Sequence, residues 1–337
     1  MKIVSYRSGN THRGGLMIQD RIYDLEKGGQ TIGVDLPVTV LELLDQEEAG
    51  MENLRTLDQK IKRGLGVSAE KDVALLAPVP NPPSCRDAYA FRQHVATARR
   101  NRGVPMIPEF DQYPIFYFTN HNAIFGEGKI QVEKDHLHKL DFELEVAIVV
   151  GKRGKNISSE EADKYIAGFT IMNDLSARLL QMEEMKLNLG PAKGKDFATT
   201  IGPWLVTPEE LDAQRIETEY GLTYNLGMQA FHNGRQVSDG NMKDMTWTFA
   251  EIIERASYGV ELYPGDVIGS GTVGSGCYLE LNGTAALEAE EAGKEFAPVW
   301  LEPGDDIELR IDGLGVLINQ LISSDEKNSI LAKKKLD

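Results

Sequence analysis

Residues 140–150 read Leu-Asp-Phe-Glu-Leu-Glu-Val-Ala-Ile-Val-Val. Side chains alternate across a strand, so this spacing sets Asp141, Glu143 and Glu145 on one face and Leu140, Phe142 and Leu144 on the other. The apolar run Val146 to Val150 follows at once and places the three acids at the entrance of a buried strand. Carboxylates this close repel one another and lose hydration on burial, so a cation is expected between them. Bare oxygen ligands point to a hard ion: Mg²⁺, Ca²⁺ or Mn²⁺.

Outward from this stretch, strand-like runs dominate: 114–118, 142–151, 166–173, 202–206, 221–225, 265–270, 277–282 and 306–311. Turn signals such as Pro264-Gly265-Asp266 and Pro303-Gly304-Asp305 separate several of them. Helices are expected at about 88–102, 158–165, 174–187 and 248–257. Towards the N-terminus, strands are expected over 2–6 and 15–25, the second a hairpin about Gln19-Asp20. Helices follow over Val38 to Asp45 and Met51 to Leu65, and a strand from Val73. Pro78, Pro80, Pro82 and Pro83 can continue neither a ladder nor a helix, so the domain boundary is placed there, giving 1–78 and 84–330. The pattern is α+β and β-rich, not a βαβ alternation, which argues against a doubly wound nucleotide fold. The acidic tract Glu288 to Glu295 reads as a solvated loop.

The chain has 337 residues, 41% of them hydrophobic, enough for a sizeable core. Its formal charge of −16, from 36 basic and 52 acidic side chains, argues against nucleic acid or an anionic membrane as partner. Arg99, Arg100 and Arg102 form a basic cluster too short to change that. Two cysteines, Cys85 and Cys277, give no disulfide framework. The opening Met-Lys-Ile-Val-Ser-Tyr reads as a strand and not as a signal peptide, so a cytoplasmic location is expected.

Several polar constellations admit two readings. Asp174, Arg178 and Gln181 fall on one face of the expected helix 174–187. Asp174 is either its N-cap with Arg178 as ion-pair partner, or a further ligand of the cation beside Glu143 and Glu145, with Arg178 and Gln181 holding a polar substrate. His94 shares a stripe with Phe91, Val95 and Ala98, as a hydrogen-bonded core histidine would. It becomes a base if a carboxylate orients it, and Glu280 in the strand-like Cys277-Tyr-Leu-Glu-Leu is the candidate partner. His136 and His138 lack a third nitrogen or sulfur ligand nearby and read as loop residues. Lys195 is either a solvent lysine or a cation aimed at an oxyanion. Thr272, within Gly269-Ser-Gly-Thr-Val-Gly-Ser-Gly276, belongs to a tight loop where backbone approaches something closely.

The order of these pieces is specific. Asp87-x-Tyr89-x4-His94, Leu140-Asp-x-Glu143-Leu-Glu145, Asn173-Asp-x-Ser-Ala-Arg178-x2-Gln181, Gly194-Lys195-x-Phe-x-Thr-Thr, Gly271-Thr272 and Leu279-Glu280 together resemble the fumarylacetoacetate hydrolase family, over about 85 to 320. The resemblance implies a mixed β-sandwich roll with a small N-terminal α/β domain, usually a homodimer. It carries the metal ligands to Asp87, Glu143, Glu145 and Asp174, with Mg²⁺ or Ca²⁺ bound. It makes His94 the general base and Glu280 the acid that orients it. Gln181, Lys195 and Arg178 match groups that hold a diketo acid and stabilise negative charge. Tyr89, Tyr117 and Thr272 match contacts to substrate carboxylates and carbonyls, with Arg102 taken as the substrate-binding arginine. The implied activity is a hydrolase acting on carbon–carbon bonds in ketonic substances, because many short members of the family lack the histidine. Rival expectations are a decarboxylase, tautomerase or hydratase on the same metal site, and a non-enzymatic cation-binding protein.

Overall fold

The expected strand 142–151 forms over Leu144–Val150 and is buried along its whole length. The computed structural model describes residues 1–331 apart from 65 and 72. Val146, Ile148 and Val150 enter one core cluster, while Ala147 and Val149 enter another. A strand covered on both faces has no polar side, which is why its sequence runs apolar without alternation.

Eleven strands form the larger sheet. Its main path runs Arg21–Asp24, Thr11–Ile18, Lys2–Ser8, Thr199–Val206, Ile166–Asp174, Leu144–Val150, Val267–Gly269, Cys85–Ala88 and Phe116–Thr119. Ala74–Leu75 and Ile124–Phe125 pair off this path. A second sheet of five strands runs Arg235–Asn241, Gly227–His232, Asp306–Ile311, Gly315–Ser323 and Gly128–Val132. The two sheets bury Val146, Ile148, Phe169 and Ile171 with Met228, Ala230, Leu309, Leu317 and Leu321. The opposite face of the large sheet is covered by apolar side chains of the helices Leu25–Ile32, Val40–Asp45 and Glu47–Lys62. This is the β-rich α+β fold that the sequence predicts.

The hairpin about Gln19-Asp20 is present, both residues at positive φ. Helix Leu25–Ile32 was not foreseen, since Gly28 and Gly29 mask it; Asp24 caps it by accepting from Lys27 N. The helix expected to reach Leu65 spans Glu47–Lys62, and Leu65 itself lies outside the described residues. The helix expected at 174–187 begins only at Arg178, because Asp174 still belongs to the preceding strand. The strand expected at 277–282 is instead the start of helix Tyr278–Glu291. That helix also takes in Glu288 to Glu291 of the acidic tract. The division into 1–78 and 84–330 stands as a proposal, with one sheet and one core cluster shared across it.

Candidate active site

Three acids meet because three strands of the large sheet point them to the same face. Asp87 follows Cys85 by two residues, Asp174 follows Met172 by two, and Glu145 precedes Ala147 by two. Cys85, Met172 and Ala147 all lie in the core cluster beneath the N-terminal helices. Alternation along each strand therefore carries the acids to that face. Glu143, which follows strand Leu140–Asp141, joins them. One carboxylate oxygen from each of Asp87, Glu143, Glu145 and Asp174 lies within 4.8 Å of the others, and all four residues are buried. On the strand between, Gly269 sits in register with Ala147 on one side and Asp87 on the other. A Cβ there would stand 2.6 Å from Asp87 Oδ1 and 2.9 Å from Glu145 Oε2. The sheet is bare where the acids converge.

Asp141 departs from the face assigned to it. Its Oδ2 accepts from Arg178 Nε at 2.8 Å and from Leu279 N at 2.9 Å, and its Oδ1 accepts from Tyr278 N at 2.7 Å. It therefore pairs with Arg178 and holds the positive end of helix Tyr278–Glu291 instead of joining the other acids. Glu143 is divided between two buried cations. Oε1 accepts from Arg178 Nη2 at 2.8 Å, and Oε2 accepts from Lys195 Nζ. Asp174 Oδ2 accepts from Lys195 Nζ at 2.7 Å and from the Tyr117 hydroxyl. Asp174 Oδ1 and both oxygens of Glu145 have no hydrogen-bond partner.

Burial, then the charge of Asp174, pushes Asp87 up to about 7. Burial and the nearby Asp87 push Glu145 well above the usual carboxylate range. Burial opposes ionisation of Glu143 too, yet the charges of Lys195 and Arg178 outweigh it and hold Glu143 at about 2. Five buried carboxylates (Asp87, Asp141, Glu143, Glu145, Asp174) thus face two buried cations, Arg178 and Lys195. The orphaned oxygens, the bare glycine and the all-oxygen donor set fit a hard divalent cation.

Beside the acids lies a second arrangement. His94 on helix Arg92–Arg100 places Nδ1 2.7 Å from Glu280 Oε2, and both side chains are buried. Asn101 donates to the backbone oxygen of Glu280 at 3.0 Å and clamps the two helices. A carboxylate only accepts, so in the neutral ring Nδ1 carries the proton and Nε2 the lone pair. Tyr89 meets the His94 ring edge-on, with centroids 5.9 Å apart. Thr272 is buried in the loop after Val267–Gly269. That loop passes so close to Ala88 that a Cβ on Gly271 would stand 2.5 Å from the Ala88 oxygen.

The structure thus brings together Asp87, Glu143, Glu145, Asp174, Lys195, Arg178 and Tyr117, and pairs His94 with Glu280. Gln181 reaches the group through Arg178 Nη1, whose hydrogen bond its Oε1 accepts at 3.0 Å. Arg102 is exposed and donates to Ala98 O at 3.1 Å. His136 stacks on Phe197 with centroids 4.1 Å apart and serves packing. Sequence reasoning missed Asn173, whose Oδ1 accepts from Glu143 N at 3.0 Å, and Cys277, which lies against the dyad. The signal for Asn173 was its place one residue before Asp174.

The family model for the fumarylacetoacetate hydrolase C-terminal domain matches residues 84–322. The chain belongs to the fumarylacetoacetate hydrolase family. The mitochondrial oxaloacetate tautomerase FAHD2A of Bos taurus is 30% identical over 288 residues, 85% of this chain and 81% of that protein. The oxaloacetate tautomerase YisK of Bacillus subtilis (strain 168) is 28% identical over 320 residues, 91% of this chain and 95% of its own length. Among solved structures, maleylpyruvate hydrolase from Sphingobium sp. SYK-6, in complex with manganese(II) and pyruvate, superposes with a TM-score of 0.67 at 21% identity. It covers 96% of this chain and all of that one. Both relatives are named for an activity on oxaloacetate, a keto acid. No helix among the described residues is long and apolar enough to cross a membrane.

Proposed function

We propose that this enzyme hydrolyses a carbon–carbon bond in a 2,4-diketo acid of the fumarylacetoacetate or acylpyruvate type. The observation that carries the reading is the His94–Glu280 bond of 2.7 Å, buried beside the acid cluster. A histidine fixed in one tautomer, with Nε2 free, is the base that water needs.

In this reading His94 Nε2 takes a proton from water, and the hydroxide so formed attacks a substrate carbonyl. Glu280 stabilises the imidazolium through Nδ1–H. Lys195 spends two donors on Glu143 and Asp174 and has a third for the developing oxyanion. Gln181 has its carbonyl oxygen engaged by Arg178, which leaves its amide NH₂ as the free end. One such donor typically lowers the barrier by about 2.7–4 kcal/mol. As the carbon–carbon bond breaks, His94 returns its proton to the departing carbon. Asp87, Glu143, Glu145 and Asp174 would hold Mg²⁺ or Ca²⁺, with Mn²⁺ as a further fit, which supplies Lewis-acid stabilisation of negative charge worth several kcal/mol. Tyr89, Tyr117, Thr272, Arg178 and Arg102 keep their assignment to substrate, although Arg178 and Tyr117 already serve the acids.

A second reading, keto–enol tautomerisation of oxaloacetate, is supported by the tautomerase relatives. It needs only a proton moved between carbon and oxygen, which His94 can also do. Incubation with an acylpyruvate and with oxaloacetate tests the two. Release of pyruvate from the acylpyruvate is expected. Enol–keto interconversion of oxaloacetate with no cleavage of the acylpyruvate overturns hydrolysis in favour of the second reading. The cytoplasmic location and the homodimer belong to the same proposal. Leu187 and Leu189, each 80% exposed, are apolar side chains that a second copy would cover.

A further inference from the structure

Cys277 lies outside the proposed chemistry yet touches its centre. It is the N-cap of helix Tyr278–Glu291, and the helix carries Glu280 three residues on. Its Sγ, an imidazole nitrogen of His94 and a carboxylate oxygen of Glu280 all lie within 4.8 Å of one another, and all three residues are buried. These are sulfur, nitrogen and oxygen donors, a different class from the four carboxylates next door. Hard Mg²⁺ or Ca²⁺ has no preference for such a set, whereas Zn²⁺ does.

We propose that His94, Cys277 and Glu280 form a second cation site, selective for borderline-soft ions of the Zn²⁺ class, whose occupation switches the enzyme off. Metal–ligand bonds of about 2.0–2.3 Å at tetrahedral angles put donor atoms roughly 3.4–3.7 Å apart, so modest side-chain rotations close the set. Three protein ligands leave a fourth position for water. On binding, the S–H bond of Cys277 breaks, its proton passes to solvent and a sulfur–metal bond forms; the His94 proton moves from Nδ1 to Nε2, so that Nδ1, which faces Glu280, gives its lone pair and the ring stays neutral. The helix N-terminus favours the thiolate once burial no longer keeps the thiol protonated. The ion then occupies the dyad that would activate water. The loss of turnover rests on the hydrolase reading, whereas the binding does not.

The test uses the full-length protein saturated with Mg²⁺ and titrated with Co²⁺ as the spectroscopic stand-in for Zn²⁺. A thiolate-to-cobalt charge-transfer band is expected in the wild type and in Cys85→Ser, and is expected to vanish in Cys277→Ser. No band in the folded wild type, or a band that survives in Cys277→Ser, overturns the site whatever reaction the enzyme catalyses. In parallel, Zn²⁺ should suppress turnover in a way that excess Mg²⁺ does not reverse. The Cys277→Ser enzyme should need about tenfold more Zn²⁺, or beyond, for the same suppression. Full relief by Mg²⁺ would place the inhibiting ion among the carboxylates and refute the proposal. Should Cys277→Ser fail to fold, release of one proton per Zn²⁺ by the Mg²⁺-saturated wild type in weak buffer decides the same question, with no release counting against the site.

Discussion

Asp141 and Arg178 form a buried ion pair, with Arg178 Nη2 2.7 Å from Asp141 Oδ2. The same guanidinium reaches Glu143, and the same carboxylate takes two amides at the start of the helix bearing Glu280. The acid cluster and the histidine dyad are therefore joined through one pair of side chains. Asp141→Asn leaves Arg178 buried with less than its balancing charge and weakens the helix anchor. Removing one partner of a buried pair typically costs about 3–5 kcal/mol. A melting temperature lowered accordingly is expected, and an unchanged one would show that the pair contributes little to the fold.

Replacing His94 with alanine is expected to reduce turnover by roughly 10²- to 10⁴-fold, the usual range for a lost base. Mg²⁺ affinity should stay nearly unchanged, because none of the four carboxylates touches the dyad through a hydrogen bond. Steady-state kinetics and calorimetry measure the two separately. A variant that retains wild-type turnover of an acylpyruvate removes His94 from its role.

Glu145→Gln divides stability from binding. Glu145, pushed well above the usual carboxylate range and with no donor to either oxygen, folds only with a proton that the unfolded chain has shed, a cost that Gln removes from the metal-free protein. Its melting temperature without metal should rise, while Mg²⁺ affinity falls by roughly tenfold to a hundredfold or more. Glu143→Ala should weaken Mg²⁺ as well, but it also takes one carboxylate partner from each of Lys195 and Arg178 and lowers stability. Calorimetry that finds Mg²⁺ affinity intact in both variants would contradict the ligand assignment.

The acids also set a pH dependence. Asp87 in the folded chain holds its proton up to about 7, against an ordinary value of 3.8. A raised acid keeps a proton that the unfolded chain has already lost, so the metal-free protein loses stability as pH rises through this window. Glu143, held at about 2, acts in the opposite sense and loses its contribution only as pH falls below the ordinary 4.5. A bound cation must displace the Asp87 proton besides the one that Glu145 holds, so Mg²⁺ affinity should rise by at least about tenfold per unit between about pH 5 and pH 7. Isothermal titration in buffers of different ionisation enthalpy counts that proton. A pH-independent affinity in that range would show that Asp87 does not surrender one.

Much of this was legible in local order. The acids at 143 and 145 and the strand that follows are written in neighbouring residues, and the family motifs named the rest of the cluster, although Asp174 ends a strand and shares no helix face with Arg178 and Gln181. Two features were not. Cys277-Tyr-Leu-Glu-Leu alternates like a strand, yet the Asp141 carboxylate, 137 residues away, takes the amide of Tyr278 and starts a helix. Asp141 itself shares the spacing of Glu143 and Glu145, but the strand breaks at 142–143 and its side chain turns to Arg178. In both cases a long-range partner overrode the local pattern.

The strand that leads the acids into the interior is shared by two cores and has no side exposed to water. Crowded charge on such an element has nowhere to retreat by fraying or a small opening. On the proposed reading, the molecule without an ion must hold the crowded carboxylates in place or come apart as one unit. The supply of divalent ions would then set how long the folded protein lasts as well as how fast it works.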